Sequence, residues 1–89
     1  MKQYSVEFSE TARKALRKLD PGVRLLILKW IRKNLQGCAD PRAHGKGLSA
    51  NLSGLWRYRV GDYRLIAEIQ DQKLVILMLE IGHRSNIYP

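Results

Sequence analysis

An α+β fold is predicted: a mostly antiparallel four-stranded sheet in the chain order β-α-α-β-β-β, with a two-helix hairpin packed on one face. Three observations predict it. A short alternating stretch opens the chain. Two stretches with helical apolar spacing follow between residues 9 and 37. Three strand-like stretches joined by tight turns then fill residues 55–81.

In residues 2–8, Tyr4, Val6 and Phe8 alternate with Ser5 and Glu7, which marks a first strand. Ser9 stands at an N-cap position with Glu10 in the first turn, and Ala12, Ala15, Leu16 and Leu19 recur at helical spacing. Arg13, Lys14, Arg17 and Lys18 make the other side of this helix basic. Asp20 caps a second helix that Pro21 opens, since the missing proline N–H has no partner to lose there. Val23, Leu26, Ile27, Trp30, Ile31 and Leu35 form its apolar stripe, and Gly37 stops it.

Residues 38–53 carry no clear period and are expected to be a long loop, with two glycines flanking Lys46. Leu55–Val60, Tyr63–Ile69 and Lys73–Ile81 are predicted as a meander. Its turns are Gly61-Asp62, with glycine supplying a positive φ, and Asp71-Gln72. The last strand is almost wholly apolar. It should lie centrally, buried on both faces, with the first strand on its free side.

The length of 89 residues fits one small domain spanning 1–89, and excludes a dinucleotide-binding fold, a TIM barrel or any two-domain enzyme. The one cysteine, Cys38, permits no internal disulfide. The N-terminus lacks the apolar core of a signal peptide. The longest apolar run, Leu74–Leu79, is far short of a membrane span. A soluble, cytoplasmic protein with no membrane partner and no cofactor is expected.

The formal net charge is +8, from 16 basic and 8 acidic residues. Nucleic acid, an anionic surface or an acidic protein would each suit it. Strand alternation narrows the choice. Arg57 and Arg59 share one face of their strand, and the tight turn brings Arg64 level with Arg59 or its neighbour. Arg84 follows the last strand. A row of guanidinium groups binds phosphate bidentately at every working pH, and an RNA backbone is the simplest ligand for it. Lys46 belongs to the same RNA-binding set. His83 titrates near neutrality in its ordinary state, and Tyr88 carries a phenol that can donate a proton or stack on a base. A phosphate clamp beside an acid or base points to phosphodiester cleavage. The bland reading of the same residues is a solvated histidine, a packing tyrosine, and arginines paired with Asp62, Glu68 or Glu80 as surface ion pairs.

The segments Leu55-Trp56-Arg57-Tyr58-Arg59-Val60-Gly61-Asp62-Tyr63-Arg64-Leu65-Ile66 and Ile81-Gly82-His83-Arg84, with Tyr88 near the end, resemble the RelE/ParE superfamily of toxins. The resemblance implies a toxin of a type II toxin–antitoxin pair. RelE-like members cut mRNA, usually in the ribosomal A site, without a metal. There the ribose 2′-OH attacks the adjacent phosphate and the 5′-oxygen leaves. By position, Arg57 and Arg59 match the family's basic pair, Arg64 its phosphate-binding arginine, Arg84 the arginine after the final strand, and Tyr88 its tail tyrosine. The catalytic set so implied is Arg57, Arg59, Arg64, His83, Arg84 and Tyr88, with Lys46 joining the arginines in RNA binding. Arginine is a poor proton acceptor at neutral pH, so if lysine-bearing relatives use that position as a base, this protein must use another group, His83 first and Tyr88 second, or work more slowly. The implied partners are the ribosome, mRNA and an antitoxin with an acidic or amphipathic segment, in a toxin–antitoxin hetero-oligomer. Two other functions fit the same fold: a ParE-like inhibitor of DNA gyrase, and a non-catalytic antitoxin-binding co-repressor.

Overall fold

Ser9 closes the first strand and opens the first helix. Its Oγ accepts from the Ala12 N–H at 3.1 Å and donates to the Leu79 carbonyl at 3.0 Å, so the cap also ties the helix to the sheet. The computed structural model describes residues 2–86. The elements are β1 (Ser5–Phe8), α1 (Glu10–Lys18), α2 (Pro21–Asn34), β2 (Lys46–Gly47), a 3₁₀ turn (Ala50–Leu52), β3 (Trp56–Val60), β4 (Tyr63–Gln70) and β5 (Val75–His83).

Asp20 caps α2 by accepting from the Gly22 N–H, with Pro21 just inside the helix as expected. Arg24 locks the two helices into a hairpin. Its guanidinium donates to the carbonyls of Leu16, Arg17 and Leu19 at 2.8–3.1 Å at the end of α1, where the Leu16 carbonyl also accepts from the Leu19 N–H at 3.2 Å.

The sheet has five strands in the order β1-β5-β4-β3-β2. This corrects the four-strand expectation. The additional strand is Lys46–Gly47, which pairs antiparallel with β3 and lies inside the predicted loop. Two residues, one of them glycine, are too short to show alternation. The sheet is also mixed. β3, β4 and β5 form the antiparallel meander, but β1 pairs parallel to β5, with Val6 opposite Ile76.

One face of the sheet packs against the helices. Ala12 and Leu16 from α1, Ile27 and Ile31 from α2, and Leu35 just beyond it meet Tyr58, Val60, Leu65, Ala67, Ile76, Met78 and Ile81. Burial of this apolar surface is the main force holding the layers together. Among the described residues, neither α1 nor α2 covers the other face. β5 is central as predicted, but it is not buried on both faces: Leu77 and Leu79 are only half-buried and Glu80 is exposed. Between Ile66 and Ala67 the β4–β5 register slips, leaving Leu79 as an extra residue that sharpens the local twist.

β5 also begins later than predicted, at Val75. The turn takes residues 71–74, with Leu74 at φ 56°, and the Asp71 carboxylate is drawn out of the sheet to Tyr4 and Arg42.

Candidate functional site

Register builds the site on the open face. Arg59 stands directly opposite Arg64 across the β3–β4 hairpin, and Lys46 stands opposite Arg57 across β2–β3. Directly opposed residues project to the same side, and Arg57 and Arg59 are two apart on one strand. Lys46, Arg57, Arg59 and Arg64 therefore share the face that the helices leave uncovered. Gly45, Lys46, Arg57 and Arg59 line a cleft of about 200 Å³ there.

The hairpin turn is the anchor. Gly61 has φ 59°, a conformation glycine adopts without steric cost, and it lets two residues close the hairpin. Arg64 Nη1 donates to the carbonyls of Gly61 and Tyr63 at 3.0 and 3.1 Å. Its Nε and Nη2 make no hydrogen bond among the described residues, so part of the guanidinium fork stays available. Arg84 joins from β5: its backbone N–H donates to the Asp62 carbonyl at 2.8 Å, and its Nε lies 3.9 Å from the Asp62 carboxylate. Partial desolvation, then the charges of Arg59, Arg57 and Arg84, push the Arg64 guanidinium below its ordinary value; Asp62 offsets this in part. Arg64 therefore feels the charge of the other three arginines. Among the described residues neither Arg59 nor Arg64 forms an ion pair with Glu68, Glu80 or Asp62, so the bland reading does not describe them.

His83 is not brought into this group. It stands opposite Tyr63, and Tyr63 opposite Val60, which places the imidazole on the helix-covered side at the end of the sheet. The ring meets Tyr63 edge-on at 5.5 Å. Its Nδ1 accepts from the Ser85 N–H at 3.2 Å and contacts Ser85 Oγ at 2.8 Å, so the neutral ring carries its proton on Nε2. Tyr88 lies outside the described residues. Cys38 is half-buried, and burial raises its thiol above the ordinary value, consistent with no assigned chemistry. Among the described residues no group of three or more His, Cys, Asp or Glu could hold a metal ion.

Sequence reasoning missed the surroundings of Lys46. Trp56 Nε1 donates to the His44 carbonyl at 2.6 Å, and Arg42 lies 6.0 Å from the centre of the Trp56 ring. Arg42 also grips Asp71 with both Nη atoms at 2.9–3.0 Å. The only sequence signal was a lysine between two glycines in a long loop.

The comparisons decide the family. The profile described as the ParE toxin of the type II toxin–antitoxin system parDE matches residues 6–88. The chain belongs to the ParE toxin family. It is thus a type II toxin of the RelE/ParE superfamily. It is 34% identical to toxin RelG of Mycobacterium tuberculosis over 85 residues, covering 96% of this toxin and 95% of that one. The structure of the RelBE2 toxin–antitoxin complex from M. tuberculosis matches with a TM-score of 0.85, 32% identity and 97% of each chain covered. The archaeal RelE–RelB complex from Pyrococcus horikoshii matches with a TM-score of 0.69 and 27% identity, over 96% of this toxin and 99% of that chain. Among the described residues of the toxin no helix is long and apolar enough to cross a membrane.

Proposed function

We propose that this toxin is an endoribonuclease that cleaves mRNA in the ribosomal A site and so stops translation. The observation that carries the reading is the Arg59–Arg64 pair across the hairpin, flanked by Arg57 and Arg84 on an open sheet face. Fixed guanidinium groups hold a phosphate in place and stabilise the charge that builds up as it becomes five-coordinate. The ribose 2′-hydroxyl gives up its proton as its oxygen bonds to phosphorus, the bond to the 5′-oxygen breaks, and that leaving oxygen takes up a proton. The products are a 2′,3′-cyclic phosphate and a 5′-hydroxyl.

The arginines orient and stabilise but move no proton. His83 and Tyr88 are the candidates for proton transfer. The position of His83 means that RNA must round the end of β5 to meet its Nε2. His83→Gln separates the cases. A large loss of cleavage assigns the proton step to His83, and unchanged cleavage moves it to Tyr88 or the ribosome.

The partner is an antitoxin with an acidic or amphipathic segment, binding the toxin in a cytoplasmic hetero-oligomer. Support comes from the solved relatives, which are toxin–antitoxin complexes, and from the +8 charge. A second reading is favoured by the matched profile being that of ParE: inhibition of DNA gyrase without cleavage.

The test is primer extension on a programmed ribosome with antitoxin-free protein, beside the same mRNA alone. A new 5′ end within the A-site codon, seen only with ribosomes, is expected. Cleavage of naked mRNA would remove the ribosome from the mechanism. No cleavage by folded protein, with inhibition of gyrase supercoiling instead, would overturn the nuclease reading.

A further inference from the structure

The segment that delivers Lys46 is fastened at almost every residue. The buried Tyr58 hydroxyl donates to the Pro41 carbonyl at 2.7 Å. Arg42 is held by Asp71, which Tyr4 also contacts at 2.7 Å. The His44 carbonyl accepts from Trp56, and the His44 ring lies edge-on to Trp30 at 5.8 Å.

Gly45 then lies flush on β3. Its φ is +73°, and a Cβ there would overlap the Arg57 carbonyl oxygen and come within 3.0 Å of Trp56 Nε1. At Gly47 a Cβ would stand 3.2 Å from the Trp56 ring. Position 45 admits no side chain at this distance, and one at 47 would press on the Trp56 ring; the strip sets Lys46 in register with Arg57 on the wall of the cleft. Like charges repel, and the chain carries a net +8, so Lys46 set beside Arg57 and Arg59 concentrates positive charge on the wall of the cleft, where an anion can bridge it.

We propose that Gly45 and Trp56 are positioning residues that hold Lys46 on the arginine face as a further phosphate-binding cation. The role rests on the nucleic-acid reading of that face, but not on cleavage.

The experiment measures binding of a 2′-O-methyl single-stranded RNA hexamer, which has no free 2′-hydroxyl to react, as a function of salt. One lost phosphate contact flattens the plot of log K against log salt by about 0.7 for a single strand. Lys46→Ala is expected to flatten the slope by that amount. Gly45→Ala and Trp56→Ala should flatten it equally, with no further change when either is combined with Lys46→Ala. Trp56→Phe keeps an aromatic ring but removes the Nε1 donor to His44 and part of the indole, so it tests the role in a variant expected to remain folded. Its slope should also flatten.

A wild-type slope in both Gly45→Ala and Trp56→Phe, with Lys46→Ala flattened, overturns the proposal. Losses that add to that of Lys46→Ala do the same, as does a Lys46→Ala slope equal to wild type. Absence of cleavage on the ribosome, with these slopes as expected, would overturn the nuclease reading and leave this one standing.

Discussion

Arg64→Ala separates function from stability more sharply than any other change. In the wild type, Nη1 is committed to the turn carbonyls of Gly61 and Tyr63, while Nε and Nη2 are left for a phosphate. Two charge-assisted hydrogen bonds are worth about 1.5–3 kcal/mol each. Their loss from the transition state is about 3–6 kcal/mol, and about 1.4 kcal/mol corresponds to a tenfold change in rate. Cleavage should therefore fall by about 10²–10⁴. Stability should hardly move. The two lost carbonyl bonds lie at an exposed turn where water replaces them, and removing the charge relieves repulsion from Arg57, Arg59 and Arg84. A net change within about 1 kcal/mol corresponds to a Tm shift under about 8 °C. Arg64→Lys keeps a point charge without the fork and should fall between wild type and alanine. The assay is the rate of A-site cleavage, with thermal melts of the same preparations. Cleavage within threefold of wild type by a folded variant would refute the reasoning. So would an unfolded variant, since Arg64 would then be a structural residue.

Tyr58→Phe keeps the ring against Trp30 but strips the buried Pro41 carbonyl of its donor. The expected loss is about 1–3 kcal/mol, read by urea denaturation. Arg24→Ala takes the side-chain donor from the Arg17 and Leu19 carbonyls, leaves the Leu16 carbonyl with only the Leu19 N–H, and should cost about 1–2 kcal/mol, with no change in cleavage by the folded fraction. Arg42, then Tyr4, hold the Asp71 carboxyl at about 2, below its ordinary 3.8. A depressed carboxylate stabilises the fold above its ordinary value and loses that contribution as pH falls through the folded one. Asp71→Asn should thus melt below wild type at pH 7, with the gap closing between pH 3.8 and about 2. A gap independent of pH would show that charge at Asp71 is not what holds the clasp.

Much of the fold was legible because the signals are local. Ser9 and Asp20 cap the helices where their side-chain chemistry requires, and Gly61 closes a two-residue hairpin. That hairpin alone aligns Arg59 with Arg64, so the centre of the arginine face follows from residues a few positions apart. The strand at Lys46–Gly47 was not legible. It exists because a glycine strip fits under Trp56, a contact between residues well apart along the chain, His44 and Trp56 being 12 positions apart.

Sequence alone determined the two helices, the four longer strands, the cationic character and the pairing within the hairpin, since each rests on backbone conformation, side-chain period or charge. Tertiary structure decided the parallel placement of β1 beside β5, the side of the sheet on which His83 stands, and the clasp that delivers Lys46. These depend on register and packing between distant segments. A residue's face is set by its own strand, but its neighbours on that face are set by the strands that pair with it.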